Sequence, residues 1–275
     1  MAQSNDVLNI AGYRFVKLGD RDELREPFRE ACERFLLKGT ILLSTEGINI
    51  FVAGSEEHIS GFISWLEKDE RFEGIIFKKS YSDSQPFTRM NVRLKKEIIS
   101  VGQPDFNRID GAEGRIEPDE LQRKLIQGEN IILLDTRNRY ETRVGTFENA
   151  LELEIDSFRD FPQAINKLED KEAEYVMFCT GGIRCEKASV IMRDAGFSNV
   201  RQLEGGVLGY FEKVGGEFWN GDCFVFDKRV ALDSELNQTE VEVCFACREP
   251  LSITEQSSSD YVVGVSCSYC IEVIS

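Results

Sequence analysis

The chain has 275 residues, enough for two or three domains, and a formal net charge of −16 that argues against a simple nucleic-acid coat. Hydrophobic residues at 41% can fill real cores, and charged residues at 30% fit a folded rather than a disordered chain. No apolar run approaches the roughly 18 residues of a membrane helix, and the start Met1-Ala2-Gln3-Ser4-Asn5-Asp6 lacks the basic and apolar stretches of a signal peptide. No membrane partner and a cytoplasmic setting are therefore expected.

The first region, residues 1–100, alternates strand and helix patterns. Residues 13–18 read as a strand. Residues 22–37 read as a helix with Leu24, Phe28, Cys32 and Phe35 or Leu36 on one face, which places Cys32 in a core. Residues 40–43 and 48–52 read as strands around the break Thr45-Glu46-Gly47. Ser55 caps a second helix, whose apolar face is Ile59, Phe62, Ile63 and Leu66. Residues 74–78 and the stretch around Val92-Arg93-Leu94 supply two more strands. The order β-α-β-β-α-β is that of a ferredoxin-like domain.

Within this region the window from Arg71 to Ser100 holds seven basic and three acidic residues, a local balance of +4 in an acidic protein. Arg89, Arg93, Lys95 and Lys96 are its densest part. They form either a solvated strand face or a patch that contacts phosphates.

Residues 101–116 read as a connector, with Gly102, Pro104, Asn107, Gly111 and Gly114 and no periodicity. In the second region, residues 117–218, Pro118 opens a helix and the apolar runs 131–135, 175–179 and 200–203 alternate with helical patterns at 158–168 and 185–195. Buried apolar strands alternating with helices indicate a parallel sheet in an α/β domain. Reactive residues in such sheets lie at the carboxyl ends of strands, where Cys179 stands.

Cys179 opens the loop Cys179-Thr180-Gly181-Gly182-Ile183-Arg184 between a strand and a helix. Glycines let successive N–H groups turn inward as an anion nest. The helix that follows adds the positive end of its dipole, and Arg184 adds a charge. Each favours thiolate over thiol, so the Cys179 pKa is expected to fall. Histidine is not the base: the chain has one, His58, at a helix start far from the loop and expected at the surface. Four residues separate Cys179 from Arg184, one fewer than in the phosphate cradle of cysteine phosphatases, which suits a sulfur atom carried on the cysteine better than a phosphate beside it.

The third region, residues 219–275, carries five of the eight cysteines. Cys244-Phe245-Ala246-Cys247 and Cys267-Ser268-Tyr269-Cys270 are two CxxC knuckles with nineteen residues between them, the spacing of a closed, structural zinc site. Two disulfides or free thiols are the other reading, and a reducing cytoplasm disfavours the disulfides. Cys223 stands outside both pairs, as a core residue or as a resolving thiol for Cys179.

The second region resembles the rhodanese domain family. The resemblance rests on Leu134-Asp135-Thr136-Arg137-Asn138, Tyr140-Glu141, Gly145-Thr146-Phe147 and Ala150, then on the loop, then on Leu203-Glu204-Gly205-Gly206 and Tyr210. It implies that Cys179 carries a persulfide, with Cys185 where simple rhodaneses often have serine. Over nearly its whole length the chain resembles something narrower, the bacterial tRNA uridine 34 hydroxylase family, through Glu46-Gly47-Ile48-Asn49, Cys179 to Lys187, and Gly221-Asp222-Cys223-Phe224-Val225-Phe226-Asp227 with the paired cysteines.

That resemblance implies oxygen-dependent formation of 5-hydroxyuridine at the wobble position, with tRNA as substrate, molecular oxygen as co-substrate and a reductant or sulfur donor as partner. The rhodanese loop alone implies persulfide sulfur transfer to a protein or RNA. No flavin, haem or nicotinamide motif is present, and one histidine cannot supply a two-histidine iron site.

Overall fold

The computed structural model describes residues 7–102 and 114–271. Most of the expected connector, residues 103–113, lies outside them. The N-terminal unit consists of β1 (Val7–Phe15), α1 (Arg21–Arg34), β2 (Lys38–Ser44), β3 (Gly47–Gly54), α2 (Glu56–Leu66), β4 (Lys78–Ser82) and β5 (Met90–Leu94). The expected β-α-β-β-α-β order is present, with β5 added. The sheet runs β4-β1-β3-β2-β5, antiparallel except for β5, which lies parallel to β2 at the edge.

Strand alternation divides this sheet into two faces. Ile48, Ile50 and Val52 of β3 are buried in a core with Phe28, Cys32, Ile59 and Phe62 of the two helices. Asn49 and Tyr13, partners across β3 and β1, point to the opposite face.

Two strands differ from expectation. The first begins at Val7 rather than residue 13 and ends at Phe15. The strand expected at 74–78 starts only at Lys78. Ile75 and Phe77 pack on Gly12, where a Cβ would come within 3.0 Å of both, while Ile76 is 69% exposed. The apolar run reads as a strand, but its side chains serve as a plug over a side-chain-free position of β1.

The second unit contains β6 (Arg115–Ile116), α3 (Pro118–Ile126), β7 (Ile131–Asp135), α4 (Arg139–Thr142), β8 (Gly145–Phe147), β9 (Leu151–Glu152), α5 (Phe161–Ala164), β10 (Glu174–Phe178), α6 (Ile183–Asp194), β11 (Asn199–Leu203) and α7 (Gly206–Val214). Its main sheet is parallel, β6-β11-β10-β7-β9, with β10 at the centre. Helix was expected over 158–168. Pro162 lacks an N–H, and the segment is instead a 3-10 turn, the single turn of α5 and a second 3-10 turn. Phe158, Phe161 and Ile165 still face the core.

The boundary drawn at residue 218 falls inside this unit's packing. The next strand, β12 (Trp219–Gly221), pairs with β8, and Trp219 and Cys223 share a core with Phe147, Phe178 and Tyr210. After β13 (Cys223–Phe224) and β14 (Ala231–Leu232) comes a small module of β15 (Glu242–Val243), β16 (Pro250–Leu251) and α8 (Ile253–Gln256). Its buried cluster is Cys244, Leu251, Cys267 and Cys270, backed by Cys247 and Tyr261. So few apolar side chains cannot hold a fold alone. Arg143 of the second unit bonds Glu249 at 2.8 Å and lies 3.8 Å over the Tyr269 ring, which docks the module.

The first two units meet through polar groups. Lys187 of α6 is fully buried, with its Nζ 2.9 Å from Glu46 and 2.9 Å from Glu97. Glu46 also accepts the Ile98 N–H at 2.7 Å. Beside this pair the Tyr13 hydroxyl donates to Glu186 at 2.9 Å. A cation taken this far from water is tolerable only with its charge met, and two carboxylates of the other unit meet it.

Candidate active site

Cys179 leaves the carboxyl end of central strand β10, and α6 begins four residues later. Gly182 takes φ 96°, in the left-handed region, which turns the chain so that its N–H donates to the Cys179 sulfur at 3.1 Å. The N–H groups of Arg184 and Cys185, at the start of α6, add to the pull on the sulfur's negative charge, while the Cys185 N–H itself donates to the Gly182 carbonyl at 3.0 Å. The nest expected from the sequence is therefore formed by the chain from 182 to 185. Gly181 has an ordinary φ and open space around it, so its lack of a side chain keeps room above the loop rather than bending it.

Cys179 is 1% exposed. Burial alone would push its pKa up. The Cys185 thiol, the Arg184 charge and the two N–H groups outweigh it and bring the thiol down to about 6. Cys185 is the donor of this pair: burial and the neighbouring thiolate push its own pKa well up, and its sulfur lies 3.7 Å from Thr136 Oγ1.

The loop is held from outside by α7. The N–H groups of Val207 and Leu208 bond the carbonyls of Cys179 at 3.0 Å and Thr180 at 3.1 Å. These two bonds fix the first two peptides of the loop against the start of α7. Gly206 must be glycine at this crossing, because a Cβ there would lie 2.3 Å from the Cys179 carbonyl oxygen. The rhodanese-like pair Gly205-Gly206 thus serves the loop directly.

Arg184 is buried and clamped by Glu141, with bonds of 2.6 and 2.7 Å to the two carboxylate oxygens. Burial works against the guanidinium charge, but Glu141 outweighs it and keeps Arg184 protonated. Glu141 also accepts from Thr180 Oγ1 at 3.5 Å and from the Asn138 N–H at 3.2 Å, which caps α4. One carboxylate therefore joins the loop to the first rhodanese-like motif. Its place in Tyr140-Glu141 was legible in the sequence; its pairing with Arg184 was not.

Above Cys179 lies a cavity of about 650 Å³ between the two units. Cys179, Thr180, Gly181 and Arg184 form its floor. Tyr13, Asn49 and Glu97 come from the N-terminal unit, and Tyr140, Glu186 and Phe226 from the other side. The volume suits a nucleoside-sized ligand. Arg14, Lys78 and Lys95 also line it. Lys95 is exposed and makes no ion pair among the described residues, and Lys78 is 4.0 Å from Glu212, so the rim carries positive charge that the protein does not fully neutralise.

The remaining residues singled out in the sequence divide clearly. Arg89, Arg93, Lys95 and Lys96 are all exposed on and beside edge strand β5, and Lys95 alone of the four reaches the cavity. Arg71 turns instead into pairs with Asp69 and Asp20 at 2.6 Å each. His58, partly exposed in the first turn of α2, lines no part of the cavity. Cys32 and Cys223 are core thiols that burial pushes up to about 12. Cys244, Cys247, Cys267 and Cys270 bring four sulfur atoms within 4.8 Å of one another. Tetrahedral zinc–thiolate bonds of about 2.3 Å require sulfurs about 3.8 Å apart, so this donor set fits the ion with small adjustment.

Comparisons with known proteins agree with this architecture. Residues 7–98 match the family described as UPF0176 acylphosphatase like domain, and residues 117–213 match the rhodanese-like domain. The chain is 48% identical over 272 residues to the tRNA uridine(34) hydroxylase of Cupriavidus pinatubonensis, covering 96% of each. It is 48% identical to that of Ralstonia nicotianae, covering 97% of each, and 45% identical to that of Burkholderia cenocepacia, covering 98% of this chain and 99% of the relative. Full-length identity at this level, over both matched domains, shows that the chain is an enzyme of the tRNA uridine(34) hydroxylase family.

Proposed function

We propose that the cavity above Cys179 receives the wobble uridine of tRNA and that Cys179 acts directly on its base during oxygen-dependent conversion to 5-hydroxyuridine. The observation that carries this reading is a cysteine whose sulfur accepts the Gly182 N–H, on the floor of a nucleoside-sized cavity with a cationic rim. The anionic backbone of tRNA fits that rim, and the family's activity fits the site.

A thiolate is a competent nucleophile toward C6 of uracil. Forming the S–C6 bond moves the C5–C6 electron pair onto C5 and O4 as an enolate, which makes C5 the electron-rich atom. After oxygen is delivered to C5, loss of the C5 proton and of the thiolate restores the double bond and frees Cys179. Molecular oxygen supplies one atom to the base and leaves the other as water, which requires two electrons from a separate reductant. The Cys185 thiol and the N–H groups of Arg184 and Cys185 stabilise the thiolate before attack and after release.

The rhodanese-like loop also supports a second reading, persulfide transfer from Cys179 to a protein or RNA acceptor. Adding oxygen and replacing oxygen by sulfur raise nominal mass almost equally, so high-resolution nucleoside mass spectrometry is required. The tRNA of cells lacking this protein is expected to lose 5-hydroxyuridine-derived nucleosides. Loss of a thiolated nucleoside instead would favour the sulfur-transfer reading.

For tRNA binding, replacing Arg89, Arg93, Lys95 and Lys96 by alanine is expected to weaken affinity and flatten its dependence on salt. The slope of log K against log salt should fall by about 0.7 to 0.9 for each phosphate that is no longer neutralised. An unchanged slope in a filter-binding titration would move the RNA surface off β5.

The N-terminal unit is best read as ferredoxin-like, and the four-cysteine cluster as a structural zinc site. A module with so small a core would draw its folding energy from the metal. A strong chelator is expected to release about one zinc per chain, with residues 242–271 becoming protease-sensitive. Metal analysis finding no zinc in protein purified without chelator would reject the assignment.

A further inference from the structure

Phe226 is 52% exposed, yet it lines the cavity that holds Cys179. It belongs to the family-like stretch Gly221 to Asp227, and none of the chemistry described above uses it. Its surroundings show that the exposure is enforced. The side chains of Asp227 and Arg229, each under a tenth exposed, pair at 2.6 Å, and Arg229 reaches across to Ser80 of β4 at 2.7 Å. The Val225 N–H bonds the Val230 carbonyl at 2.8 Å, and the Lys228 N–H bonds the Pro86 carbonyl of the N-terminal unit. A turn pinned at this many points cannot swing its aromatic side chain into a core.

The ring itself is oriented from behind. It meets Phe224 edge to face at 5.2 Å, and Phe224 meets Tyr140 in the same way at 5.3 Å. The Arg184 guanidinium lies 5.9 Å from the Phe226 ring centre. Phe226 is thus anchored on the floor group next to Cys179, with its remaining surface left to the cavity.

We propose that Phe226 is a stacking platform for the target base, holding the uracil ring against Cys179; this rests on the reading that the cavity takes the wobble uridine. A base drawn from the anticodon stack gives up its neighbours, and an aromatic face takes their place. A rigid ring does so without an ordering cost on binding. The same arrangement orients the base for attack at C6.

The test uses the full-length protein and an anticodon stem-loop RNA with a fluorescent pyrimidine analogue at position 34. Stacking on an aromatic ring quenches such a probe. Wild type and the conservative variants F226Y and F226W are expected to quench it. F226A and F226L are expected not to, and their KM for tRNA should rise roughly 5- to 150-fold. The thermal midpoint should stay at the wild-type value in all four, because the ring is half exposed and buries little core. Quenching that survives F226A overturns the proposal alone. Absence of quenching in wild type overturns the placement of base 34 in the cavity and this proposal with it.

Discussion

Replacing Cys179 by serine is expected to lower 5-hydroxyuridine formation by on the order of a thousandfold or more. Serine keeps the size of the side chain and its hydrogen bond from Gly182. It does not keep the ionisation. A hydroxyl gains too little from the N–H groups of Arg184 and Cys185 to become an anion near neutral pH, so the nucleophile is lost while the fold remains. The thermal midpoint should change little.

The same site predicts a pH profile. The folded-state pKa of Cys179 is near 6, below the ordinary thiol value of 9.0. The thiolate therefore accumulates as pH rises through 6, and iodoacetamide should modify Cys179 with a midpoint there and a plateau above pH 7. Cys185→Ala removes the donor that contributes most to the lowering, so the midpoint should move upward. A midpoint that stays at about 6 in that variant would assign the lowering to Arg184 and the backbone alone.

Glu141→Ala is expected to give the largest loss of stability of any single change at the site. It removes both partners of the buried Arg184 guanidinium and the acceptor of the Asn138 cap. An uncompensated buried charge of this kind costs about 3–5 kcal/mol. The thermal midpoint should fall by on the order of 10 °C. Glu141→Gln keeps an acceptor and the volume but not the charge, so its loss should be smaller. A calorimetric scan of the alanine variant within about 2 °C of wild type would show that water reaches Arg184 and replaces the carboxylate.

Legibility in the sequence followed the distance over which each feature is encoded. The Cys179 loop was legible because strand end, nest, helix start and arginine are contiguous; the Cys185 thiol, which contributes most to lowering the Cys179 pKa, was not read as its donor. The four-cysteine cluster was legible for the same reason, since each CxxC pair brings its own two sulfurs together. The three inner strands of the parallel sheet were read from their apolar runs, whereas its two-residue edge strands β6, inside the expected connector, and β9 are too short to show a pattern.

The cavity was not legible. Its walls combine Tyr13, Asn49 and Lys95 with Phe226 and Cys179, and only docking of the two units makes them neighbours. Tyr13 sits in a strand where an aromatic reads as core, and Lys187 sits in a helix where a lysine reads as surface. In the structure Tyr13 bonds Glu186 and Lys187 is fully buried. The basic window shows the other limit of local reading. Its charge count is correct, but Arg71 turns to Asp20 and Asp69 while Lys78 turns to the cavity. A count of charges carries no information about direction.

In the proposed reaction the Cys179 thiolate acts in the oxygen-dependent hydroxylation of uridine 34 in the cavity between the two units. The most direct test grows cells that depend on this protein for 5-hydroxyuridine under oxygen-18 gas, with wild type or Cys179→Ser, and reads tRNA nucleosides by high-resolution mass spectrometry. The expected result is oxygen-18 at C5 of the wobble uridine with wild type and unmodified uridine with the variant. Unlabelled or sulfur-bearing product with wild type, or labelled product with Cys179→Ser, would contradict it.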